Sequence, residues 1–127
     1  MGESATAVVE AAYEAFGRGD IEGVLALLDP AVEWFAPQTL PQGGQFRGAD
    51  GVLAFFQGLG GAWDPLGLEV EAVGEVGPGL VAGIVRGSGS LRGGGEAAYG
   101  AVHLFDVEGG RITRFREFVD LDDRISR

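Results

Sequence analysis

Cysteine, lysine and asparagine are absent from the 127 residues, and histidine occurs once. Without cysteine there is no disulfide framework, no thiol nucleophile and no Cys-ligated zinc. Without lysine there is no lysine Schiff base, and all nine cations are arginine. A single histidine excludes a multi-histidine metal site within one chain. Positive charge is scarce too: nine basic against nineteen acidic residues leave a formal net charge of -10. Each phosphate contact needs a local cation, so this balance argues against a nucleic-acid backbone or an anionic membrane as partner. No apolar run reaches the length that spans a bilayer, and the N-terminus lacks a basic-then-apolar secretion pattern. The chain reads as soluble and cytoplasmic, with no metal or organic cofactor implied.

An apolar content of 46% supports a packed core, and the length fits one domain over residues 1–127. The spacing of Val8, Val9, Ala12, Tyr13 and Phe16 predicts a helix over 5–16, ended by Gly17 and Gly19. Asp20 caps a shorter helix carrying Ile21, Val24, Leu25, Leu27 and Leu28, closed by Asp29-Pro30. A strand over 31–36 holds Trp34 and Phe35, a Pro/Gly/Gln-rich loop follows over 37–44, and a third helix covers 48–59. Alternation then takes over, with strands predicted at 66–75, 80–90, 96–107 and 111–119. Helices first and a long antiparallel meander afterwards imply an α+β domain, its helices packed on one face of a curved sheet. Glycine, at 24 residues, far exceeds its usual share of roughly 7%; inside strands it suits a strongly bent sheet. Closed by helices, such a sheet forms a cone around an apolar pocket, the expected seat of function.

Three segments, AYEAFGRGDIEGVLALLDPAVEW, FRGADGVLAFF and GGRITRFREFVD, together resemble the SnoaL-like branch of the nuclear transport factor two-like superfamily. That resemblance implies a cone-shaped fold, often dimeric through its sheet. It admits ketosteroid isomerases, polyketide cyclases, limonene-type epoxide hydrolases and noncatalytic binders, so chemistry must be argued residue by residue. The isomerase positions fall at Ala12, Phe35 and Val102, none of which carries the required group. The epoxide-hydrolase pattern retains a carboxylate at Glu117, in the run Phe115-Arg116-Glu117, and lacks its other two parts unless Arg86 serves from a shifted register. The SnoaL-type cyclases place a histidine on the penultimate strand and an acid fourteen residues later. His103 and Glu117 stand at that spacing, with glutamate replacing the family's usual aspartate.

Desolvation in an apolar cone disfavours an ionised carboxyl group, which would suit Glu117 to general acid/base work beside His103. Whether the two meet depends on the hairpin between their strands. A three-residue turn over 108–110 sets Val107 opposite Arg111 and His103 opposite Phe115. Glu117 then lies diagonally on the same face, about 7–8 Å away. A two-residue turn at Gly109-Gly110 would instead align His103 with the face of Arg116. The first is favoured because it gathers Tyr99, His103, Phe105, Thr113, Phe115 and Val119 on one apolar face and sends Arg114 and Arg116 outward. A plain structural assignment competes, with His103 a satisfied core residue and Glu117 paired with Arg114, Arg116 or Arg86.

Tyr13, Phe16, Trp34, Phe35, Phe56, Trp63, Tyr99 and Phe115 are expected to line the pocket, with Tyr13 and Trp34 offering polar tips as positioning groups. Such walls suit a hydrophobic, ring-containing small molecule. Asp120, Asp122 and Asp123 read as a solvated end rather than a metal site. The expected function is acid/base catalysis of cyclase or isomerase type. A noncatalytic binding or dimerisation module is the alternative, and epoxide hydrolysis a weaker one. The outer sheet face suggests a homodimer.

Overall fold

The computed structural model describes residues 4–120, and the aspartates at 122 and 123 lie outside them. Helix α1 (Ala5–Gly17) is opened by Ser4, whose hydroxyl accepts from the Ala7 N–H at 3.1 Å, and it buries Val8, Val9, Ala12 and Ala15. Gly19, at φ +74°, turns the chain into α2 (Ile21–Leu25), capped by the Asp20 carboxylate on the Gly23 N–H. The second helix is shorter than its apolar spacing predicts. Leu28 already belongs to β1 (Leu28–Ala36), because the Ile112 N–H bonds to the Leu27 carbonyl and draws the chain out of the helix. Next come β2 (Gly44–Arg47), α3 (Gly48–Ala62), β3 (Trp63–Gly77), β4 (Leu80–Leu91), β5 (Glu96–Glu108) and β6 (Arg111–Asp120).

The six strands form one curved, unclosed sheet in the order β2-β1-β6-β5-β4-β3. All neighbours are antiparallel except β1 and β6, which run parallel, so the expected antiparallel sheet has one exception. The short β2 lies where sequence alone indicates the end of a loop; its Gly44 and Gln45 carry no strand signal, yet it pairs along β1. Helices α1 and α3 cover the inner face, and the core gathers Val8, Val9, Val32, Val52, Val81 and Ile112 there. Among the described residues no helix is long and apolar enough to cross a membrane.

The β5–β6 hairpin decides what faces inward. Gly109 and Gly110 both take positive φ, +58° and +78°, and Glu108 pairs with Arg111. That is the two-residue turn, not the favoured three-residue one, and Gly-Gly suits the positive φ it demands. Val107 pairs with Ile112, but Asp106 pairs with Arg114, so Thr113 is an extra residue in β6. This bulge shifts the register by one and restores the inward direction of Phe115 and Glu117. His103 therefore lies directly opposite Glu117 rather than diagonal to it.

Candidate functional site

Side chains from α1, α2, β1, α3, β3, β5 and β6, with Gln42 from the loop after β1, surround the space between helices and sheet. Inward alternation on β5 presents Tyr99, Ala101, His103 and Phe105, and on β6 Phe115 and Glu117. His103 and Glu117 are each about 5% exposed or less, and they are joined by a 3.0 Å contact from His103 Nε2 to Glu117 Oε2. From α1, the Tyr13 hydroxyl reaches His103 Nδ1 at 2.7 Å. A continuous Tyr13–His103–Glu117 chain results, and both imidazole nitrogens are used within it.

Proton placement follows from these contacts. Burial, with the charge of Glu117 adding to it, pushes the Tyr13 phenol above its usual pKa, so Tyr13 keeps its proton and is able to donate it to Nδ1. With a proton on Nε2 the imidazole donates to the Glu117 carboxylate, and Nδ1 is left to accept from the phenol. Tyr99 responds to the same two causes in the same direction. Glu117 Oε1 has no hydrogen-bond partner among the described residues. Among the described residues no arginine clamps Glu117: Arg114 approaches Glu33 at 3.9 Å and Arg116 approaches Asp106 at 3.7 Å, while Arg86 is exposed. The competing arginine pairing is thereby removed.

Two glycines of β4 make room for the phenols. Gly83 pairs with His103 and Gly87 with Tyr99. A Cβ on Gly83 would collide with the Tyr13 hydroxyl, and one on Gly87 would lie 2.5 Å from the Tyr99 ring. A side chain opposite His103 would occupy the space through which Tyr13 reaches it.

The chain borders a cavity of about 70 Å³. Of the expected lining residues, Tyr13, Phe16, Trp34, Phe56, Tyr99 and Phe115 are in its wall, together with His103 and Glu117. Two expected residues are not. Phe35 follows the inward Trp34 along an alternating strand, so it turns to the outer face beside Arg47 and Phe118. Trp63 stands behind the wall, its ring 6.1 Å from that of Tyr99, and donates its indole N–H to Gln42 Oε1 at 3.1 Å. Gln42, 4% exposed, does line the cavity. Sequence reading missed it inside a loop of polar composition; the need of a buried indole N–H for an acceptor was the available signal. Among the described residues, Glu117 is the only acid in the wall, so the second carboxylate that epoxide hydrolysis needs is missing there.

An apolar cavity of roughly 150 Å³ holds benzene, so the present hollow, about half that, admits a ring only after its walls move apart. The aromatic wall is closely stacked: Trp34 lies on Phe115 at 4.1 Å between centroids, and Phe55 meets Phe56 edge-on at 5.2 Å.

Comparison with known proteins agrees with this architecture. The sequence profile of the SnoaL-like domain matches residues 9–115. An uncharacterized protein of Mycobacterium tuberculosis is 34% identical over 112 residues, 87% of this chain and 85% of the relative. An NTF2-like protein of Burkholderia thailandensis superimposes with a TM-score of 0.88 at 29% identity, covering 98% of each chain. TerC, solved as a co-crystal with polyporic acid, superimposes with a TM-score of 0.80 at 26% identity, covering 98% of this chain and all of its own.

Proposed function

The chain belongs to the SnoaL-like domain family, and from that premise we propose that it is an acid/base catalyst acting on a small, hydrophobic, ring-containing molecule. The observation that carries this reading is the hydrogen-bonded chain from Tyr13 through His103 to Glu117 in the wall of an apolar cavity. Glu117 Oε1 is the base that takes a proton from a C–H of the substrate, and the resulting acid returns a proton to another atom of the same molecule. Such a transfer serves ring closure or isomerisation. His103 supports the carboxylate through Nε2–H, and Tyr13 fixes the imidazole tautomer by donating to Nδ1. Aromatic walls exclude water, which strengthens each of these contacts. Polyporic acid in the related TerC is in keeping with a ring-shaped ligand.

Deuterium uptake from D₂O by cyclic ketones tests the proposal, because their α-carbons are simple carbon acids. The wild-type protein should accelerate uptake. Glu117→Gln should abolish it while leaving thermal unfolding unchanged, since the amide keeps the volume and cannot accept the proton. Undiminished uptake by that variant would end the mechanism and leave the alternative of a noncatalytic binding module.

We further propose a homodimer formed through the outer sheet face. Ala72, Ile84, Val102 and Phe118 pair in one line across β3, β4, β5 and β6, and Phe118 is 47% exposed. An apolar row of this kind on a sheet is a natural contact for a second copy.

A further inference from the structure

We propose that Gln42 is the ligand-orienting donor of the cavity and that it selects ring compounds bearing a carbonyl oxygen. The proposal rests on the cavity being the substrate site, as inferred above. Gln42 is a long polar side chain in an otherwise largely apolar wall, and its burial calls for hydrogen-bond partners. Its oxygen has one in Trp63 Nε1–H. An indole nitrogen only donates, so this contact fixes the rotation of the carboxamide, with Oε1 toward Trp63 and Nε2 turned away from it. Nε2 carries two N–H donors and has no acceptor among the described residues.

A second donor of the wall residues is closed off from the cavity. Trp34 Nε1 is fully enclosed and has no hydrogen-bond partner. The wall thus offers an unmatched donor at Gln42 and an acceptor at Glu117 Oε1. A molecule that answers both carries an acceptor oxygen for the amide and an acidic C–H for the carboxylate. A cyclic ketone joins the two on adjacent atoms, because the carbonyl acidifies the neighbouring carbon. A hydrocarbon of the same shape leaves the amide unpaired and is rejected for that reason.

The test is a titration of the full chain with α-tetralone and with tetralin, which share one bicyclic skeleton and differ in the carbonyl. Proton–nitrogen correlation spectra suit it, because the chain has two tryptophans and no asparagine, leaving few indole and carboxamide signals. α-Tetralone should bind about tenfold more tightly than tetralin and shift the Gln42 carboxamide. Gln42→Glu keeps an acceptor for Trp63 and removes the donor, so it should erase the preference while the Trp63 indole signal stays in place. Gln42→Leu should also erase the preference but move the Trp63 indole signal, since it removes the acceptor as well, and the glutamate variant decides if the leucine variant does not fold. Equal affinities in the wild type, a preference that survives Gln42→Glu, or no binding of either compound at millimolar concentration would overturn the assignment. Deuterium uptake by α-tetralone in the same samples separates the two readings. A preference without uptake retains Gln42 and ends the catalytic role of Glu117; uptake without a preference does the reverse.

Discussion

Tyr13 and Tyr99 are the only tyrosines of the chain, and both phenols are held neutral by burial and by the nearby Glu117. A raised folded-state pKa means the fold binds these protons more tightly than the unfolded chain does, whose phenols ionise near pH 10. Their contribution to stability is therefore intact below about pH 10 and is lost as pH rises further. Phenolate absorbance near 295 nm should stay absent at pH 10 and should emerge with unfolding, not before it. A smooth rise near pH 10 in the folded protein would contradict the burial argument. The same residues show what could be read in advance. His103 and Glu117 were legible through the resemblance of their fourteen-residue spacing to the SnoaL-type cyclase pattern, and Tyr13 through its polar tip on an apolar helix face. Gln42 was hidden because a loop has no periodicity from which inward direction follows.

Among the elements, β4 and the β5–β6 hairpin carry the most information about the site. Gly83→Ala places a methyl group where the Tyr13 hydroxyl lies. It should break the Tyr13–His103 contact, reduce deuterium uptake at least tenfold, and destabilise the fold by about 1–3 kcal/mol through overpacking. The single histidine makes this directly measurable, since one set of imidazole nitrogen shifts reports the tautomer. An unchanged tautomer would show that Tyr13 does not position His103. Helix α1, the four long strands and their alternation were readable because their apolar periods are strong. The bulge at Thr113 was not, since Ile112-Thr113-Arg114 has the pattern of an ordinary strand and only pairing with β5 exposes the extra residue. The parallel β1–β6 contact was equally hidden, as it joins segments about eighty residues apart in sequence.

At the scale of the whole molecule, the proposed dimer and the cavity use opposite faces of one sheet. Sedimentation at micromolar concentration should give the mass of two chains. Phe118→Glu should shift it to that of one, because a charge in the middle of an apolar contact row is not easily buried. A wild-type chain that remains single would remove the assembly without touching the chemistry. The narrow hollow has a kinetic consequence. A guest larger than the space awaiting it must wait for the walls to part, so at high concentration its observed association rate should level off at the frequency of that parting. Guests of similar bulk should share this plateau even when their affinities differ, which makes the breathing of the aromatic wall the clock of the protein.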